Sequence, residues 1–131
     1  MTLCQSTLLW IAQAVLITTL AAVLAACGDP KYQPPAIVVT FDPNFSPPAS
    51  LDTGAIAGIA ADVANDPKNA GTNFSCVPAT ECGTFTPSTI ASNVPTSYQA
   101  PNTAPAGGSV TITATSVTDP TKFVSATITI N

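Results

Sequence analysis

The side chains with chemical potential in this 131-residue chain are its four cysteines and a few carboxylates, because histidine is absent. Nucleophilic catalysis needs a base beside the nucleophile, so Ser-His and Cys-His arrangements are excluded. A Ser-Lys dyad would require a desolvated lysine, yet Lys31 lies in the Pro-rich segment after Cys27 and Lys68 and Lys122 are expected in exposed turns. Zinc takes about four nitrogen or sulfur ligands, which Cys76 and Cys82 without any histidine cannot supply. The best carboxylate cluster is Asp62 and Asp66, with Asn65 and Asn69 nearby. Calcium wants about six to eight oxygens, whereas Asx residues also serve as ordinary turn formers; the cluster reads as a sparse cation site or, more simply, as a turn. No catalytic residue, metal site or cofactor follows from these groups. Sulfur remains.

Cys27 stands in an unusual place. From Thr7 to Ala26 the chain carries no charge, and Leu8-Leu9-Trp10-Ile11 and Ala14-Val15-Leu16-Ile17 make it strongly apolar. A secretory signal needs an apolar stretch of roughly 7–15 residues and then small residues at the cut; a spanning helix needs about 20. By length alone the run fits a cleaved signal, an uncleaved anchor or a buried apolar helix. Its end decides: Leu24-Ala25-Ala26-Cys27 is followed at once by Gly28-Asp29-Pro30. This segment resembles a bacterial lipoprotein signal peptide, with Leu24 to Cys27 matching the lipobox. One departure is the lack of Lys or Arg near the start, the first lysine being Lys31. The resemblance implies that residues 1–26 are a removed signal helix, that Cys27 carries the lipid, and that residues 27–35 form a tether. Each buried methylene contributes about 0.8 kcal/mol, and two or more chains anchor stably. The implied address is a bacterial cell envelope, on the outer membrane or a periplasm-facing or cell surface, with the membrane itself as a partner. The prolines of the tether favour an extended spacer of roughly 3 Å per residue.

Charge narrows the partners. Three lysines face seven carboxylates, for a net charge of −4, and arginine is absent. Nucleic-acid binding needs a basic footprint, so that class is excluded, and three scattered lysines do not capture acidic polymers or anionic headgroups. With Cys4 leaving in the signal and Cys27 lipidated, Cys76 and Cys82 are left over. An even remainder in an exported protein points to a disulfide rather than free thiols.

Beyond the tether, Thr, Val, Ile and Ala alternate and are cut by Pro, Gly, Asn and Asp, the pattern of short strands. Strands are expected over 36–41, at an edge over 51–53, and over 55–63, 72–76, 96–100, 109–117 and 123–130. The last two form a hairpin with Val110, Ile112 and Ala114 on one face and Thr111, Thr113 and Thr115 on the other. Asp119-Pro120-Thr121-Lys122 joins them, with Asp and Pro placed as a type I turn prefers. Val63-Ala64-Asn65-Asp66-Pro67-Lys68 looks like Val117 to Lys122, a similar turn ending a strand. About seven such strands indicate an antiparallel sandwich.

The run Asn65-Asp66-Pro67, Phe74-Ser75-Cys76, Cys82-Gly83-Thr84-Phe85, Tyr98, Ala104 to Ser116 and Asp119 to Lys122 resembles a bacterial immunoglobulin-like domain over about Ala36 to Asn131. Phe74 stands where that family commonly has Trp. The implied fold is an all-β, immunoglobulin-like sandwich over residues 36–131. Cys76 and Cys82 are too close in sequence to bridge two sheets as in antibody domains, so a bond between them would clamp a local loop. Asn44-Phe45-Ser46 and Asn73-Phe74-Ser75 fit a glycosylation pattern, which is chance in a bacterial lipoprotein; Phe74 is expected in the core and Phe45 packed on its own loop. The function implied is non-enzymatic: a lipid-anchored envelope module making structural or adhesive contacts with an envelope or surface protein. A soluble-ligand binding module, for carbohydrate or peptide, is the alternative and would need an exposed aromatic platform. An accessory subunit of a larger envelope complex is a third reading.

Overall fold

A computed structural model describes residues 33–131. The anticipated signal-peptide helix, Cys27 and most of the tether lie outside the described residues. A compact unit spans Pro35–Asn131, and it is a β-sandwich.

Ten short strands build it: β1 (Val38–Phe41), β2 (Ser50–Leu51), β3 (Ile56–Ile59), β4 (Ala61–Ala64), β5 (Thr72–Val77), β6 (Thr84–Thr86), β7 (Thr89–Ile90), β8 (Thr96–Gln99), β9 (Ser109–Ser116) and β10 (Phe123–Ile130). One sheet runs β2-β10-β9-β5-β7; the other strands form a three-stranded sheet, β3-β8-β6, and a pair, β1-β4. All pairs are antiparallel except β2 with β10, which is parallel. The sheet is therefore mixed rather than purely antiparallel.

The hairpin β9–β10 shows how the sequence specifies the layers. β-branched residues suit the pleat, and a period of two sends alternate residues to opposite faces. Val110, Ile112 and Ala114 are buried, as are Ile128 and Ile130 across from them, while Thr111, Thr113 and Thr115 face outward. Phe74 from β5 joins the same core, which Val39, Ile59, Ala61, Val63, Tyr98 and Ala100 close from the opposite side.

The expected strand over 55–63 is two strands. Ala60 donates its N–H to the Phe45 carbonyl, and its own carbonyl accepts from Asp42. The loop after β1 thus captures both backbone groups of Ala60. Below this point the chain pairs with β8, and above it with β1. Ile59, Ala60 and Ala61 are all buried, which simple alternation does not produce.

β6 and β7 carried no recognisable strand signal. Each has at most three residues, and Pro87 separates them. They lie in different sheets. Gly71, at φ 82°, lets the turn before β5 pass against Ile90 of β7; a Cβ there would collide with the Ile90 carbonyl.

Candidate functional site

Cys76 and Cys82 form a disulfide, with Cα atoms 5.7 Å apart. The loop they close is local, as expected, but it is also the crossover between sheets: Cys76 is the penultimate residue of β5 and Cys82 precedes β6. Gly83 follows at φ 90°, where a Cβ would strike the Gln99 carbonyl of β8. Only glycine allows this approach. The buried Tyr98 hydroxyl donates to the Cys82 carbonyl at 2.6 Å, and burial pushes the phenol pKa above its ordinary value. Phe85 sits between Phe74 and Tyr98, with ring centroids 5.4 and 4.9 Å away. Cys82, Phe74 and Tyr98 are almost wholly buried, so this cluster is a core staple rather than a surface for ligands.

Asp62 and Asp66 do not converge. Asp62, on β4, accepts from the Ser92 hydroxyl at 2.8 Å, and that same oxygen accepts the Val63 N–H. Asp66 turns back on its own loop, accepting the N–H groups of Lys68 at 3.0 Å and Ala70 at 2.8 Å. The nearby Thr118 hydroxyl contributes most to holding the Asp66 carboxyl below its usual range, although it falls short of full hydrogen-bond geometry. Among the described residues no group of three or more metal-ligating side chains comes together.

The Asp-Pro turns share one design. Asp42, Asp66 and Asp119 each accept, on the carboxylate, the N–H two residues ahead, and on the carbonyl the N–H three residues ahead. The likeness between the segments ending at Lys68 and Lys122 is a likeness of turns. Asn65 and Asn69 adopt positive φ beside the first of them, which Asn tolerates better than most residues.

Asp42, Asp66 and Asp119 sit in turns, and the outer face of the β9–β10 hairpin carries no charged side chain. On the outer face of the larger sheet, Phe123 lies beside Thr115 and Asn73, Ser125 beside Thr113 and Ser75, and Thr127 beside Thr111 and Val77. Thr113 and Ser125 hydroxyls hydrogen-bond across the strands at 2.9 Å. Phe123 is 61 % exposed at the corner of this face. Phe45 is half-exposed and packs over Gly58 of β3 rather than within its own loop alone. Tyr98 and Phe74 are buried, and Phe41 and Phe85 pack partly against the core.

The edge of β10 completes the geometry. Ser116 donates to the Lys122 carbonyl and Ile130 to that of Gly108, so even-numbered residues of β10 direct their backbone groups at β9. Odd-numbered ones point the other way: Thr129 donates to Ala49 and Asn131 to Leu51. The ladder with β9 runs unbroken from Phe123 to Thr129. It follows that Phe123, Ser125 and Thr127 aim N–H and C=O outward, and among the described residues no backbone group meets them. The β2 pairing that stops at Thr129 leaves no sequence signal.

In comparison with known proteins, no family model matches this chain, no curated protein matches it, and no solved structure matches it.

Proposed function

We propose that this protein is a non-enzymatic, lipid-anchored immunoglobulin-like module of a bacterial cell envelope, serving in structural or adhesive contacts with protein. The observation that carries the reading is Leu24-Ala25-Ala26-Cys27, closing a charge-free apolar run ahead of the sandwich. Two features support it. Disulfides persist in oxidising, exported settings, and Cys76–Cys82 is one. The outer face of the β9–β10 hairpin, lined by Thr111, Thr113, Thr115, Ser125 and Thr127 without charge, suits a tethered module that meets other surfaces.

The test is metabolic labelling with palmitate of the full chain expressed in bacteria. Label should follow the protein into the membrane fraction and disappear in Cys27→Ala. Trp10 is the sole tryptophan, so processed protein should also lack indole fluorescence. An unlabelled protein that retains Trp10 would overturn the reading.

A further inference from the structure

Among the described residues half of the β10 edge is unpaired, and that half is self-complementary. Its outward groups belong to Phe123, Ser125 and Thr127 and are symmetric about Ser125. The window is closed at one end by the pairing of Thr129 with Ser50 and at the other by the Asp119–Lys122 turn. We infer that this segment pairs antiparallel with the same segment of a second copy, Ser125 opposite Ser125 and Phe123 opposite Thr127. The inference names the partner for the contact role proposed above and rests on that reading.

Several observations single out this edge and this occupant. Natural sheets guard their edges with charge, proline or very short strands. β1 lies between Pro35 and Pro43, β3 is only four residues long, β4 carries Asp62, β6 is three residues long and runs into Pro87, β2 and β7 are two residues long, and β5 stops before Pro78 beside the disulfide. β10 has eight residues, and from Phe123 to Asn131 it has no proline and no charge. The protein carries a net charge of −4, but none of that charge lies on this strand, so two copies bring no repulsion to the seam. A shift of register by two residues would run one strand into the β2 pairing or the turn of the other. Twofold antiparallel pairing, in which one patch meets itself, is the closed arrangement for such an interface. It unites the two five-stranded sheets and places exposed Phe123 against Thr127 of the second copy. A lipid anchor would confine both copies to one surface and raise their effective concentration.

The experiment is disulfide trapping on the full chain in its native membrane. Directly opposed residues of a hydrogen-bonded antiparallel pair lie about 5.5 Å apart at Cα, within the roughly 4.4–6.8 Å range a disulfide spans. Ser125→Cys should therefore give a covalent homodimer under mild oxidation. Thr113→Cys, on the same face but one strand inward, should give at least tenfold less. Adding Thr127→Pro to Ser125→Cys removes an outward N–H, which an edge strand tolerates, and should cut the dimer at least tenfold while the Cys76–Cys82 bond still forms. Absence of the Ser125→Cys dimer, an equal yield from Thr113→Cys, or an adduct with a different protein in its place would overturn the inference. Palmitate scored on the same samples separates the two readings: dimer without label sinks the anchor alone, and label without dimer sinks the pairing alone.

Discussion

The Tyr98 hydroxyl donates to the Cys82 carbonyl at 2.6 Å, and this bond ties the disulfide-closed crossover to the middle strand of the smaller sheet. Both residues are almost wholly buried. Removing a partner from a buried hydrogen bond leaves the other unsatisfied, at about 1–3 kcal/mol. Tyr98→Phe keeps the ring beside Phe85 and removes only the donor. It should lower stability by about that amount in urea unfolding followed by circular dichroism, with an unchanged slope. A midpoint equal to that of the unmodified chain would mean that the bond contributes nothing.

The disulfide acts on the same crossover from the other side. Its partners are six positions apart, and closing so short a loop stabilises by about 2 kcal/mol on the chain-entropy model. The double variant Cys76→Ala with Cys82→Ala should lose about that much. The loss should also be local. β6 is a three-residue edge strand held by β8, so amide exchange at Thr84 and Thr86 should quicken far more than at Ile112 in the centre of β9. Uniform loss of protection would show that the crossover and the core open together.

What could be read from the residues was whatever alternation and turn chemistry encode locally. The β9–β10 hairpin, the buried Val110, Ile112, Ala114 and Phe74, and the Asp119-Pro120 turn all follow from patterns within ten or so neighbours. The division of 55–63 at Ala60 does not, because its cause is the Phe45 carbonyl reached by a loop from β1. β6 and β7 were invisible for a related reason: two or three residues carry no period, and their partners in β8 and β5 define them. The Asp62 and Asp66 pair looked like one cluster by spacing, yet Ser92 captures one carboxylate and a turn the other. Tyr98 was legible as a strand residue but not as the donor to Cys82, a contact across sixteen positions. The open edge of β10 depends on where β2 stops pairing, which is a property of the assembled sheet.

The Asp-Pro turns predict a particular acid response. For Asp66 the Thr118 hydroxyl, then the N–H groups of Lys68, Ala70 and Asn69, hold the pKa below its ordinary 3.8. For Asp119 the Thr121 hydroxyl and N–H do the same, with the Lys122 charge assisting. A carboxyl whose folded pKa is depressed binds its proton more readily once the chain unfolds. Its stabilising contribution is therefore complete above the unfolded value and is lost as pH falls through the folded one. The melting temperature should hold steady from neutrality down to about pH 5 and decline below about pH 4. Asn in place of either Asp keeps a carbonyl oxygen to accept the turn N–H but cannot titrate. The variant Asp66→Asn with Asp119→Asn should thus melt with a shallower acid slope, measured by calorimetry at low salt, where exposed charges are least screened. An acid slope equal to that of the unmodified chain would place the titrating groups elsewhere and leave these two turns as geometry alone.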